Sequence, residues 1–292
     1  MREIVGAGVA LITPFNEDQS IDFDSLANLI DYQIENGMDY LVSLGTTGET
    51  ATLSDKEKKE IWHFTSEHVA GRVPLVAGIG GNNTMALAKQ IADFSVPGYQ
   101  AVLSVSPYYN KPTQKGIYEH YKAIAQASSL PLILYNVPGR TGSNVAPETT
   151  IQLARDFSNI VATKEACGDI VQISKILRDA PEDFAVISGD DSFTLPILAS
   201  GGIGVISVIA NAYPKKVSDL VKYGLGNNIS NAQEIHQQLL ALIDLCFIES
   251  NPCGVKAMLK TLGQGTDQVR LPLVKISDST RQKIEKAMKE LG

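Results

Sequence analysis

The sequence of 292 residues is poor in cysteine, has a single tryptophan and carries no excess of positive charge. Its three cysteines, Cys167, Cys246 and Cys253, are an odd set with no C-x-x-C spacing, which speaks against a disulfide framework or a zinc cage and suits a reducing cytoplasm. The histidines, His63, His68, His120 and His236, are scattered over predicted helices and form neither an H-E-x-x-H pair nor a facial triad, so no metal is expected. A net charge of −7 and a pI near 5.2 argue against broad binding to nucleic acid or an anionic membrane, and require that any anionic substrate meet a local positive site. The dinucleotide fingerprint, the P-loop and the G-x-S-x-G elbow are all missing. No apolar run approaches the ~20 residues of a membrane span. The run from Ile4 to Ile12 is broken by two glycines and followed by Pro14, Glu17 and Asp18 rather than a small-residue cleavage site, so it reads as a buried strand.

What is present is a repeated alternation. Eight short aliphatic or β-branched runs end near Thr13, Gly45, Gly80, Ser106, Tyr135, Lys164, Gly189 and Ser207, a spacing of about 28 residues that suits one strand-helix unit each. Helical signals lie between them. Ser54 with Glu57 forms a capping box ahead of an amphipathic run ending at Gly71; Leu26, Leu29, Ile30 and Ile34 share one face before Gly37; Pro147 occupies a first-turn position. Near-continuous apolar strands alternating with helices imply a parallel sheet covered on its outer side, and eight units favour closure into an α/β (β/α)₈ TIM barrel. The final stretch abandons the pattern, with helices expected at about 230–249, 252–263 and 277–291. The expected division is a catalytic barrel over residues 1–225 and a C-terminal helical domain over 226–292, with the face of Leu239, Leu240, Leu242, Ile243 and Leu245 serving as core or subunit contact.

A parallel barrel presents its catalytic groups where the strands end, at their C-terminal edge. Lys164 closes the sixth run and should start inside the mouth, where burial disfavours the ammonium and would free an amine to attack a carbonyl; the alternative is a lysine that snorkels to the rim or pairs with Glu165. Tyr135 ends the preceding strand and could pass protons to that nitrogen, although rim tyrosines often only pack. Arg140 follows in the next loop as a possible carboxylate clamp or a solvated side chain. The Gly45–Glu49 turn, GTTGE, combines backbone N–H groups with two hydroxyls suited to a small carboxylate, or is a glycine-rich turn without a ligand.

Four segments in order, Gly45-Thr46-Thr47-Gly48-Glu49, Pro107-Tyr108-Tyr109-Asn110, Tyr135-Asn136-Val137-Pro138-Gly139-Arg140-Thr141 and Lys164-Glu165-Ala166, make the chain similar to the pyruvate-dependent class I aldolases that resemble N-acetylneuraminate lyase. The similarity runs essentially end to end. It implies that Lys164 is the Schiff-base lysine, that Tyr135, Thr46 and Tyr109 form a proton relay, with Tyr109 supplied by a neighbouring subunit, and that Thr47 and Gly45 bind the pyruvate carboxylate. It further implies a backbone carbonyl from Ile206 near the nucleophile and Arg140 on the carboxylate of the second substrate. That arginine points to L-aspartate 4-semialdehyde as the electrophile, because sialic-acid and sugar-acid aldolases of this kind generally lack it. The resemblance also implies a cytoplasmic homo-oligomer, a tetramer built as a dimer of tight dimers, with no metal or organic cofactor. Two competing expectations are an aldolase for a 2-keto-3-deoxy sugar acid, separable by comparing aspartate semialdehyde with glyceraldehyde, and a silent 2-oxo-acid sensor that binds pyruvate without an imine.

Overall fold

The computed structural model describes residues 4–292. Eight parallel strands, β1 (Gly6–Ala10), β2 (Tyr40–Ser43), β3 (Leu75–Gly78), β4 (Tyr99–Val105), β5 (Leu132–Asn136), β6 (Ile160–Glu165), β7 (Ala185–Ser188) and β8 (Gly204–Ser207), close in sequence order into one barrel. Closure is made by β1 on β8, with Gly6 opposite Gly204 and Val9 opposite Ser207. The outer helices are α1 (Phe23–Glu35), α2 (Asp55–Val69), α3 (Thr84–Ala92), α4 (Gln114–Ala127), a one-turn α5 (Pro138–Thr141), α6 (Pro147–Asp156), α7 (Ile170–Asp179), α8 (Thr194–Ala199) and α9 (Pro214–Leu225). Three more, α10 (Ile229–Phe247), α11 (Cys253–Thr261) and α12 (Asp278–Leu291), follow the barrel without an intervening strand.

Local chemistry accounts for the element ends. Ser54 accepts from the Glu57 backbone and Glu57 reaches back to the Ser54 N–H, the reciprocal capping box that starts α2. That helix ends at Val69, two residues before the predicted glycine, with Ala70 in the left-handed region and Gly71 following at φ 76°. Pro147 opens α6, where its missing N–H costs nothing. β1 stops three residues short of Thr13 because the Ile12 N–H leaves the ladder for the Asn211 side chain at 3.1 Å.

Strand side chains alternate between two apolar layers. Tyr40, Val42, Leu103, Ile133, Ile187 and Ile206 fill the barrel interior. Tyr40 fits because Gly8 opposite has no Cβ: one built there would lie 2.2 Å from the ring. The larger layer lies between the barrel and its helices and is continuous with Leu239, Leu242 and Ile243 of α10, Val255 and Met258 of α11 and Ile284 of α12. The leucine-rich face of α10 is therefore core at Leu239, Leu242 and Ile243, while Leu240 and Leu245 remain half-buried.

Candidate active site

The register of β5 and β6 sets the centre of the site. Tyr135 stands opposite Lys164, and Asn136 stands opposite Glu165, so the first pair faces the barrel interior and the second faces the outer layer. Lys164 Nζ lies 4.3 Å from the centre of the Tyr135 ring. The lysine is 5% exposed and does not snorkel. Nor does it pair with Glu165, whose carboxylate accepts from Asn136 Nδ2 at 3.0 Å and from Thr163 Oγ1 at 3.4 Å on the other face of the strand.

Burial is the main cause that lowers the Lys164 pKa to about 8; the Arg140 charge acts in the same direction, while Asp191 and Asp190 oppose it. Tyr135 is pushed above the usual phenol range by burial, against the Arg140 charge and the neighbouring Thr46 side chain. The lysine is thus poised to hold an appreciable free-amine fraction near neutral pH. Below about 8 the nucleophile is progressively protonated, so kcat/KM for a carbonyl substrate captured by Lys164 is expected to fall roughly tenfold per pH unit and to level off above. A pH profile that stays flat from 6 to 8 would remove Lys164 as the titrating nucleophile. The same shift has the opposite sign for stability. Between about 8 and the ordinary lysine value the unfolded chain binds more protons than the folded one, so this group's destabilising effect at neutral pH is relieved as pH rises through that window.

Gly189, one residue past β7, makes room for the lysine stem. A Cβ on it would lie 2.9 Å from Lys164 Cγ, 3.0 Å from Lys164 Cε and 3.1 Å from Ala166 Cβ. Because a lysine stem yields more easily than backbone, Gly189→Ala is expected to leave the fold intact and misplace the amine. Capture of a carbonyl substrate should slow by about 10- to 100-fold, with stability changed by less than about 1 kcal/mol. Single-turnover trapping beside a thermal melt distinguishes this from a folding defect, since an unaltered trapping rate would show that the wall does not hold the stem.

At the C-terminal mouth of the barrel opens a cavity of about 540 Å³, lined among others by Gly45, Thr46, Tyr135, Arg140 and Asn251. Thr46 and Arg140 are exposed to it, whereas Thr47 is buried behind the turn. Thr47 Oγ1 accepts from Asn251 Nδ2 at 3.0 Å, which leaves its own hydroxyl hydrogen free to donate to an anion. Ile206 is fully buried in β8 within the same inner layer as Tyr135. Tyr109 stands apart: it is 89% exposed, at φ 73°, tied to the Arg140 turn by its N–H on the Thr141 carbonyl at 3.3 Å. Among the described residues no group of three or more histidines, cysteines and acids is placed to hold a metal ion.

Three contributors were not singled out from the sequence. Asp191, in the SGDD segment after β7, is buried and accepts from the N–H groups of Val208 and Ile209 at 2.9 and 3.0 Å, pinning the turn after β8 and placing negative charge near Lys164. Only its place at a strand end could have suggested it. Asn251 arrives from the segment between α10 and α11, some 200 positions from the threonine it orients. Glu49, the last residue of the turn, is buried with Lys256 of α11, and its second oxygen accepts from the Arg270 N–H at 2.9 Å.

The chain is similar to known proteins over nearly its whole length. A profile described as the dihydrodipicolinate synthetase family matches residues 3–291. A 4-hydroxy-tetrahydrodipicolinate synthase from Parabacteroides distasonis is 49% identical over 98% of this chain and 97% of its own. The crystal structure of dihydrodipicolinate synthase from Aquifex aeolicus superposes with a TM-score of 0.95 at 41% identity, covering 98% of both chains. The chloride-inhibited dihydrodipicolinate synthase from Acinetobacter baumannii, solved in complex with pyruvate, gives a TM-score of 0.96 at 38% identity over 99% of both.

Proposed function

The chain belongs to the dihydrodipicolinate synthetase family, and on that premise we propose that it condenses pyruvate with L-aspartate 4-semialdehyde through an imine on Lys164. The product is 4-hydroxy-tetrahydrodipicolinate, and the reaction is the committed step toward diaminopimelate and lysine. The observation that carries the mechanism is the buried amine at the C-terminal mouth of a barrel, 4.3 Å from the ring of Tyr135, which together with Arg140 lines the cavity there.

The Lys164 nitrogen attacks the pyruvate carbonyl carbon, and the carbinolamine loses water to give the imine. Loss of a methyl proton then gives the enamine, with the imine nitrogen accepting the electron pair. The enamine carbon attacks the aldehyde carbon of the second substrate, whose oxygen takes up a proton. The amine of that substrate attacks the imine carbon and displaces the lysine, closing the ring. Tyr135, Thr46 and Tyr109 move these protons. Thr47 and the backbone at Gly45 hold the pyruvate carboxylate, for which the free Thr47 hydroxyl hydrogen is suited. Ile206 offers its backbone carbonyl near the nucleophile, and Arg140 holds the carboxylate of the aldehyde substrate. No organic cofactor is called for, since the lysine is its own electron sink.

Tyr109 reaches this relay from a second copy of the chain, so the working unit is at least a tight dimer, with a tetramer of two such dimers as the expected assembly. Its exposure of 89% in the single chain supports that reading. Among the described residues no helix is long and apolar enough to cross a membrane, and a cytoplasmic location is proposed. The barrel over residues 1–225 carries the chemistry, with residues 226–292 as an appended helical unit.

Arg140 separates the two substrates experimentally. Arg140→Ala is expected to raise KM for aspartate semialdehyde at least about tenfold, while borohydride still traps a pyruvate adduct on Lys164. Trapping on another residue, or none with pyruvate bound, would sink the imine mechanism.

A further inference from the structure

Behind Tyr135 and Lys164, on the outer face of the same two strands, lies a buried polar cluster that the chemistry does not use. Asn136 is 1% exposed and Glu165 is fully buried, with no cation paired to the carboxylate among the described residues. A carboxylate in such a place is costly, and an apolar pair of similar shape would be cheaper. Its hydrogen bonds show what it holds. Asn136 Nδ2 donates both to Glu165 Oε2 at 3.0 Å and to Asn144 Oδ1 at 2.8 Å, and Asn136 Oδ1 accepts from the Val145 N–H at 3.0 Å. Asn144 Nδ2 in turn donates to Gln172 Oε1 of α7 at 2.7 Å. The chain that leaves β5 at Asn136 therefore returns to Asn136 at Asn144 and Val145, and the short excursion between them carries Arg140.

A backbone N–H can only donate, whereas an amide can present either end. The Val145 N–H therefore fixes Asn136 Oδ1 toward itself, and leaves Nδ2 to bridge Glu165 and Asn144. Were that amide turned over, its NH₂ would face the Val145 N–H, and the bond that closes the turn would be lost. We propose that Glu165, Asn136 and Asn144 form a clasp at the base of the Arg140 turn, and that they are positioning residues for the carboxylate of the second substrate. The proposal rests on the reading of Arg140 given above.

The test compares Asn144→Ala, Arg140→Ala, the double variant and the near-isosteric Glu165→Gln in the full chain. Both substrates' KM values, kcat and the rate of borohydride-trapped pyruvate adduct are measured. Asn144→Ala is expected to raise KM for the aldehyde by about 5- to 10-fold and to leave pyruvate KM and trapping within about twofold; Glu165→Gln should act in the same direction and more weakly. In the Arg140→Ala background the Asn144 substitution should add less than about twofold, because both act through one guanidinium. A raised aldehyde KM in Arg140→Ala with none in Asn144→Ala and Glu165→Gln overturns the clasp alone. Full additivity in the double variant, or equal losses for both substrates, also overturns it by showing an effect that does not pass through Arg140. An unaltered aldehyde KM in Arg140→Ala removes the reading of Arg140 and the clasp's purpose with it.

Discussion

Lys164→Met is expected to abolish turnover, by about 10⁴-fold or more, while making the protein more stable. The loss follows because methionine has no amine with which to form the imine, and neither Tyr135 nor Thr46 can replace a covalent electron sink. The gain follows from the environment the lysine occupies. Its pKa is held at about 8, mainly by burial, against an ordinary 10.5. A shift of that size corresponds to roughly 3 kcal/mol against the ammonium at neutral pH, and an unbranched apolar side chain of similar length in the same slot removes it. Allowing for imperfect packing beside Gly189, a rise in Tm of about 5 °C is expected. Activity and melting temperature measured on one preparation test both halves. Turnover above about 1% of the parent would exclude covalent catalysis at this position, and a fall in Tm would show that the buried amine is better satisfied than its surroundings suggest.

The second large effect is structural. Lys256 is fully buried, with its ammonium on Glu49 Oε1, on the Gln268 carbonyl at 2.7 Å and over the Phe15 ring at 4.3 Å. Removing it strands the Glu49 carboxylate in the core, next to the turn that holds Thr46 and Thr47. Breaking a buried pair from one side typically costs about 3–5 kcal/mol. Lys256→Met is therefore expected to lower Tm by about 10 °C and to reduce activity, because the stranded carboxylate must find water by moving the turn. Glu49→Gln combined with Lys256→Met should recover at least half of the lost stability, since the uncompensated charge is then gone. If the double variant melts no higher than Lys256→Met alone, the loss belongs to packing around Phe15 rather than to the charge.

These two lysines show why some of the site could be read along the chain and some could not. Lys164 stood out as a candidate because the features that mark it are local: an apolar strand, the rule that strand ends face the mouth, and a cation where a hydrophobic residue would be expected. Tyr135 and Arg140 stand at the neighbouring strand end, where packing and solvation were open alternatives and the family resemblance supplied the roles. Lys256 sits on a helix whose sequence gives no hint of a buried charge, and its partner lies 207 positions away. Asn251 is likewise an ordinary loop residue until the fold brings it to Thr47.

The sequence by itself determined the barrel and the additional C-terminal helices and marked Lys164 as a candidate nucleophile, because strand and helix periodicity, capping boxes and strand-end placement are written within a few residues of one another. Only the tertiary structure decided how that nucleophile is tuned and held. The missing Cβ at Gly189, the charge at Asp191, the Asn251 bond to Thr47 and the Glu165 clasp are all contacts across the closed sheet or from the C-terminal helices. A side chain's effect on such partners depends on distance and burial, and neither quantity exists until the chain has folded.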